Sequence, residues 1–91
     1  MFKINIYGKV QGVSYRYWFK NMADMMGITG CVYNKNDGSV EALVNCSKDD
    51  LKKLIELSYK GSKLSDVNRV EHYLLKDTIS INNEKGFLIK Y

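Results

Sequence analysis

The stretch FKINIYGKVQGVSYRYWFKNMADMMG (residues 2–27) changes its hydrophobic period once, and that change decides the fold. Its first residues alternate between apolar and polar, and this period of two predicts a half-buried β-strand. From Tyr15 onward, apolar side chains recur at the spacing of a helix that packs on a core, and Gly27 ends that helix. The apolar stripe of the helix consists of Tyr15, Trp18, Phe19, Met22 and Met26. The segment therefore predicts a strand, a loop over residues 8–14, and a helix.

Two further strands are predicted on either side of an Asp-Gly pair. Apolar runs at residues 30–35 and 39–46 flank Asp37 and Gly38, and Asp-Gly in this setting is a strong hairpin signal because tight turns need positive φ. A two-residue turn centred on this pair fixes which side chains share a face. One face then carries Cys31, Tyr33, Ala42 and Val44, and the other carries Val32, Asn34, Leu43 and Glu41.

The remaining sequence repeats the order of helix and strand. Ser47 is predicted to be the N-cap of a second helix with two aspartates in its first turn, and Gly61 ends that helix. Alternation over residues 70–75 predicts a fourth strand, and a polar link over residues 77–86 leads to a short last strand at 87–91. Helices separated by hairpins predict an α+β sandwich, βαββαβ with an extra C-terminal strand, in which two helices cover one face of a mainly antiparallel sheet.

Length and composition exclude several classes of protein. A chain of 91 residues with 45% hydrophobic and 26% charged residues is expected to form one globular domain over residues 1–91. No apolar run approaches the ~20 residues of a membrane span, and the first residues are unlike a signal peptide, so we expect a cytoplasmic protein that does not bind membranes. Two separated cysteines and one histidine cannot form a four-ligand zinc site, so no metal is expected.

The loop between the first strand and the first helix has the composition of an anion-binding site. Gly8 and Gly12 let backbone N–H groups turn inward, and the following helix start adds unsatisfied N–H groups with a partial positive charge. Arg16, in the first helical turn, has a planar guanidinium that can grip two phosphate oxygens. Many strand-to-helix turns contain glycines only because the backbone conformation requires them. The spacing by itself therefore leaves open whether this loop binds an anion or is merely a turn.

This loop resembles the signature of the acylphosphatase family, Gly-x-Val-Gln-Gly-Val followed by two residues and Arg, which stands here at residues 8–16. A second family motif is similar to residues 30–34 (GCVYN) together with residues 38–41 (GSVE). Shorter similar segments lie at residues 27–30, 68–71 and 87–91. The resemblance therefore spans essentially the whole chain.

The resemblance implies a ferredoxin-like fold and a hydrolase that splits the carboxyl–phosphate bond of acyl phosphates into a carboxylate and inorganic phosphate, without metal or other cofactor. By motif, Arg16 and Asn34 correspond to the family's catalytic residues. The phosphate-binding loop corresponds to Gln11, Gly12, Val13, Ser14, Tyr15 and Arg16. A carboxylate leaves at neutral pH without a general acid, because its parent acid has a pKa of about 4. Asn34 cannot take a proton, but its amide can orient the attacking water.

Two other functions stay open at the level of sequence. The same loop could belong to a non-catalytic module that binds an acyl phosphate or phosphate without turning it over. An RNA-binding module can share the architecture, but such modules carry a basic and aromatic strand motif that is absent here. We therefore expect a small-molecule acyl phosphate as the partner, no nucleic acid, and a monomer.

Overall fold

The computed structural model describes residues 1–75 and 86–91, so the expected polar link over residues 77–86 lies, apart from Gly86, outside the described residues. The described part has the predicted order of elements. They are β1 (Phe2–Lys9), α1 (Tyr15–Met25), β2 (Thr29–Asn34), β3 (Val40–Asn45), α2 (Lys48–Lys60), β4 (Asp66–Leu74) and β5 (Phe87–Ile89). Neither described helix is long and apolar enough to cross a membrane.

The strands form one sheet in the order β4-β1-β3-β2-β5. β2 and β5 run parallel, and the other neighbouring pairs are antiparallel. The units β1-α1-β2 and β3-α2-β4 each join two parallel strands that are separated by a third strand, which is the ferredoxin-like arrangement expected from the sequence. As a result β1, β2 and β5 end at the same edge of the sheet, where α1 begins.

Both helices pack on the same face of the sheet and enclose the core between them. α1 buries Tyr15, Phe19 and Ala23 against β2 and β5, and α2 buries Leu51 and Leu54 against β1 and β4. The buried side chains of the strands on this face are Phe2, Ile4, Ile6, Val32, Val40, Ala42, Val44, Val70 and Phe87. The apolar residues of the alternating β1 pattern, Phe2, Ile4 and Ile6, thus point into the core, as predicted.

The β2–β3 hairpin differs from the predicted register by one residue. Val32 pairs with Ala42, so Cys31 and Tyr33 share their face with Leu43 and Glu41 rather than with Ala42 and Val44. The connection is a three-residue loop, in which the Gly38 N–H donates to the Lys35 carbonyl at 3.2 Å and the Lys35 N–H donates to the Ser39 carbonyl at 2.9 Å.

Local turn chemistry explains this difference. A two-residue type I′ turn needs positive φ at both central residues, but only Gly38 has one, at 92°, and Asp37 does not. The Asp37 carboxylate instead accepts hydrogen bonds from the backbone N–H and the hydroxyl of Ser39, and this stabilises the longer loop. The observed register also buries Val32 with Ala42 in the core and keeps Glu41 off that face.

Candidate active site

A cavity of about 310 Å³ lies where β1, β2 and β5 end and α1 begins. Its lining residues come from the loop after β1, from the first turn of α1, and from the ends of β2 and β5. They are Val10, Gly12, Ser14, Tyr15, Arg16, Tyr17, Asn34, Ile89 and Tyr91. Arg16 and Asn34, which the two sequence motifs singled out separately, therefore line one cavity.

A larger groove of about 630 Å³ lies at the other end of the sheet, between α2 and β4. Its lining is mostly apolar, and its charged residues, Lys48, Lys52 and Glu56, are exposed. The lining residues are Phe2, Lys48, Leu51, Lys52, Ile55, Glu56, His72 and Leu74. Since chemistry on a charged group needs polar groups that converge, the smaller cavity is the candidate active site despite its size.

Gln11 fastens the loop to the β2–β3 hairpin. Its side-chain amide Nε2 donates to the Lys35 carbonyl at 2.8 Å and to the Ser39 carbonyl at 2.9 Å. The side chain is thus committed to the hairpin and does not line the cavity. Because Asn34 ends the hairpin's first strand, these two bonds fix the distance between the loop and Asn34.

Val13 and Tyr15 anchor the loop in the core. Val13 is buried, and Tyr15, 1% exposed, packs its ring against Trp18 and Phe19. The Tyr15 hydroxyl donates to the carbonyl of Ser58 in α2 at 2.8 Å. Burial raises the pKa of Tyr15 well above its usual value, so the phenol stays protonated and acts as an anchor.

The start of α1 has no side-chain capping hydrogen bond from its N-cap residue. Ser14 occupies the N-cap position in the left-handed conformation (φ 61°, ψ 25°), and its side chain makes no capping hydrogen bond. No acidic residue lies in the first turn. The first N–H groups of a helix have no carbonyl partner within the helix, and together they carry a partial positive charge. An exposed, uncapped helix start of this kind is suited to an anion.

Arg16 is held by residues from the far end of the chain. Its guanidinium Nη1 donates to the Lys90 carbonyl at 3.2 Å, and its Cζ lies 4.7 Å from the centre of the Tyr91 ring. The Lys90 N–H in turn donates to the Val32 carbonyl at 2.9 Å, which fixes this segment beside β2. Sequence reasoning missed the contribution of residues 90 and 91, because no local pattern indicates a contact across 74 residues. A guanidinium has five N–H donors, and within residues 1–75 and 86–91 this bond to Lys90 engages one of them.

Asn34 completes the site from the opposite side. It is the last residue of β2, is exposed, pairs through its backbone with Val40, and lines the cavity. Of the loop residues predicted to bind phosphate, Gly12, Ser14, Tyr15 and Arg16 line the cavity, whereas Gln11 and Val13 do not.

The charged side chain of the cavity is a cation. Among the described residues that line it, Arg16 is the one cationic side chain, and none is an Asp or a Glu. Residues 1–75 and 86–91 contain no group of three or more His, Cys, Asp or Glu side chains that could hold a metal ion. The described geometry offers an anion a guanidinium, the N–H groups of a helix start and a neutral amide in one place.

Comparison with known proteins identifies the family of this chain. The family model for acylphosphatase matches residues 2–89. The acylphosphatase of Bacillus licheniformis is 33% identical over 90 residues, which cover 99% of this chain and 97% of the relative. That of Shewanella amazonensis is 43% identical over 68 residues, or 75% of each chain.

Solved structures agree as well. The crystal structure of the Bacillus subtilis acylphosphatase superposes with a TM-score of 0.86 at 31% identity, covering 99% of this chain and 97% of the other. An acylphosphatase from Coxiella burnetii superposes with a TM-score of 0.80 at 26% identity, covering 98% of this chain and 90% of the other. Fold, motifs and full-length similarity lead to the same conclusion: this chain belongs to the acylphosphatase family.

Proposed function

We propose that the protein is an acylphosphatase, which hydrolyses the carboxyl–phosphate bond of acyl phosphates to a carboxylate and inorganic phosphate. The loop at residues 11–16 binds the phosphoryl group, Arg16 stabilises its charge, and Asn34 orients the attacking water. One observation carries the proposal: Arg16, Asn34 and the uncapped start of α1 line the same cavity. Membership of the acylphosphatase family supports the same reaction.

Phosphate binding follows from the charges of the cavity. The phosphoryl group of an acyl phosphate is a dianion at neutral pH, and it meets the Arg16 guanidinium and the N–H groups of the loop and of the first turn of α1. A guanidinium makes two parallel hydrogen bonds to two oxygens of one phosphate. The carbonyl of Lys90 and the ring of Tyr91 hold the guanidinium beforehand, so less side-chain freedom is lost on binding.

The chemical step needs little from the protein beyond position and charge. A water oxygen attacks phosphorus as the bond to the acyl oxygen breaks, and the carboxylate leaves with the bonding electron pair. One proton of the water stays on the new hydroxyl group, and the other passes to a phosphate oxygen. Charge spreads over the equatorial oxygens in this loose transition state, where Arg16 and the N–H groups stabilise it.

Asn34 orients the nucleophile. The carbonyl oxygen of its amide accepts a hydrogen bond from the water. This bond turns a lone pair of the water toward phosphorus for in-line attack. Gln11 supports this role indirectly, since its bonds to the carbonyls of Lys35 and Ser39 keep the loop and Asn34 at a fixed separation.

The face of the sheet away from the helices supports a small-molecule partner rather than nucleic acid. Its central row pairs Asn5 with Glu41 on one side and with Glu71 on the other. The hydroxyls of Tyr33 and Tyr73 donate to these two carboxylates, which also pair with Lys35 and Arg69. The two tyrosines are therefore held by neighbouring side chains of the sheet, whereas RNA-binding modules present aromatic rings on which bases stack.

We also propose a single domain over residues 1–91, a monomer, and a cytoplasmic location. The lining residues of the cavity run from Val10 to Tyr91, so both ends of the chain contribute to one site, which supports one domain. Cys31 and Cys46 are both free, as is usual in a reducing compartment.

A non-catalytic phosphate-binding module is the second candidate. Full-length HypF, a structure described as phosphate- and nucleotide-bound, superposes with a TM-score of 0.75 at 25% identity, and the match covers 99% of this chain but only 11% of HypF. The same fold thus occurs as a small part of a much longer chain. A module of this kind would bind phosphate saturably without releasing a carboxylate.

Hydrolysis of benzoyl phosphate at neutral pH in excess EDTA tests the proposal. The wild type should turn over, and Arg16→Ala should lower kcat/KM by about 1,000-fold or more, as loss of a transition-state arginine does. Asn34→Ala should lower kcat by about 100-fold, the usual cost of misplacing a reacting group.

Two matched controls separate the site from general effects of these substitutions. Arg69→Ala removes an arginine that also lies over a tyrosine, with its Cζ 4.3 Å from the centre of the Tyr7 ring, but outside the cavity. Asn36→Ala removes an asparagine two residues beyond Asn34. Both should keep wild-type kinetics. A folded wild type that binds phosphate but releases no carboxylate would establish the binding module instead.

A further inference from the structure

Ser62, just after α2, makes a hydrogen bond that the proposed chemistry does not yet use. Its hydroxyl Oγ donates to the carbonyl oxygen of Val13, in the middle of the phosphate loop, at 2.8 Å. The two residues are 49 positions apart, and Ser62 is 8% exposed, so the bond is shielded from water. Ser62 does not line the cavity and approaches the loop from behind.

The position of Ser62 depends on Gly61. Gly61 has a φ of 64°, and a Cβ atom there would lie 2.2 Å from the Ser65 hydroxyl and 3.0 Å from the Tyr15 ring. Glycine therefore lets the end of α2 come close enough for Ser62 to reach Val13.

The geometry of the peptide bond transmits this contact to the front of the loop. The Val13 carbonyl and the Ser14 N–H belong to one planar trans peptide group, so they point in opposite directions. Because Ser62 holds the Val13 carbonyl on the side of α2, the Ser14 N–H points away from α2, toward the cavity that Ser14 lines. Ser14 adopts the left-handed conformation, which is unfavourable for a residue other than glycine and needs support from its surroundings.

Neighbouring hydroxyls provide an internal contrast. The Ser65 hydroxyl donates to the Ser62 carbonyl at 2.8 Å, within its own turn. The Ser58 hydroxyl donates to the Leu54 carbonyl at 2.7 Å, within its own helix. The Ser62 hydroxyl, in contrast, reaches the backbone of the phosphate loop.

We propose that Ser62 is a positioning residue for phosphate binding: its hydroxyl holds the Val13–Ser14 peptide so that the Ser14 N–H donates a hydrogen bond to a phosphoryl oxygen of the substrate. The inference rests on the proposed function, because it assumes that the loop binds phosphate. It assigns Ser62 no contact with the substrate.

The test measures phosphate binding and turnover in the same preparations. Ser62→Ala should raise both the inhibition constant of inorganic phosphate and the KM for benzoyl phosphate by about threefold to tenfold, the range of one lost hydrogen bond. Ser62→Thr keeps the hydroxyl and should restore both values. Ser62→Cys, which keeps the shape but donates weakly, should behave like Ser62→Ala and serves if the alanine variant does not fold. Ser65→Ala should match the wild type.

Amide NMR supplies a readout that loss of packing alone would not change. In the wild type, saturating inorganic phosphate should move the Ser14 amide proton downfield. In Ser62→Ala or Ser62→Cys that shift should shrink, while the shift of Gly12 persists. Wild-type phosphate binding and an unchanged Ser14 shift in both variants would overturn the inference. A wild type that binds phosphate without hydrolysis would overturn the proposed function alone, because the binding comparison would remain valid.

Discussion

The two helices of this protein both begin after a serine, but their first turns differ. Before α2, Ser47 is extended (φ −71°, ψ 165°), its side chain accepts the Asp50 N–H, and Asp49 and Asp50 place negative charge in the first turn. Before α1, Ser14 is left-handed, its side chain caps nothing, and the first turn holds no acid but carries Arg16.

The difference shows how a helix start becomes a binding site. At α2, local sequence satisfies the helix, and the aspartates offset the positive end of its dipole. At α1, Arg16 adds a positive charge to the positive end of the helix dipole, and this lowers the stability of the helix itself. This start is held instead by distant groups, since Gln11 bonds the hairpin, Tyr15 bonds Ser58 and Val13 accepts from Ser62. The α1 start can therefore stay open to a ligand.

Among changes to the caps and supports of the two helix starts, giving α1 an acid like those of α2 should produce the largest effect. Ser14→Asp places a carboxylate beside Arg16 and where the phosphoryl group would bind, and like charges at that range cost several kcal/mol. We expect kcat/KM to fall by at least about 100-fold, while the free energy of unfolding stays level or rises by up to ~1 kcal/mol.

Ser14→Asn is the matched neutral variant, and asparagine tolerates the left-handed conformation. It should keep most of the activity in the same benzoyl phosphate assay. If Ser14→Asp were as active as Ser14→Asn, the start of α1 would not be where the anion binds.

Removing a distant support of the α1 start should have an intermediate effect on both function and stability. Gln11→Ala deletes the two bonds to the hairpin, so we expect the free energy of unfolding to fall by ~1–3 kcal/mol. The loop can then shift relative to Asn34, and kcat/KM should fall by about tenfold. Denaturant titration and steady-state kinetics measure the two effects, and a loss of stability with unchanged kinetics would argue against a role in positioning.

Removing the local cap of α2 should have the smallest effect and should be confined to stability. Ser47→Ala loses the bond to the Asp50 N–H, made at 3.2 Å, and should lower the free energy of unfolding by about 1 kcal/mol. The kinetic constants should equal those of the wild type, because α2 begins at the other end of the sheet from the cavity. A fall in kcat/KM beyond the unfolded fraction would erase the contrast between the two helix starts.

The parts that could be predicted from sequence are those in which neighbouring residues carry the information. The period change at Tyr15 predicted α1, and Ser47 with its following aspartates predicted the cap of α2, which is confirmed. The register of the hairpin was wrong by one residue, because Asp37-Gly38 fits both a two-residue and a three-residue turn. The hydrogen bonds from Ser39 to the Asp37 carboxylate and the burial of Val32 with Ala42 distinguish the two, and both become visible in three dimensions.

The candidate site divides in the same way. Arg16 and Asn34 could be named from motifs, and the structure brings both to one cavity. The groups that orient the site could not be named, because Lys90, Tyr91 and Ser62 are brought to it by the order of the strands and by the end of α2. Gln11 was predicted as part of the loop, but its side-chain contacts depend on the fold of the hairpin.

The most direct test of the contrast is a titration of the ¹⁵N-labelled wild type with inorganic phosphate, followed by amide NMR. The account predicts saturable shifts for amides at residues 12–16, at the start of α1, and none beyond the effect of ionic strength for amides at residues 48–50, at the start of α2. Equal responses at the two helix starts, or no saturable response at residues 12–16, would contradict it.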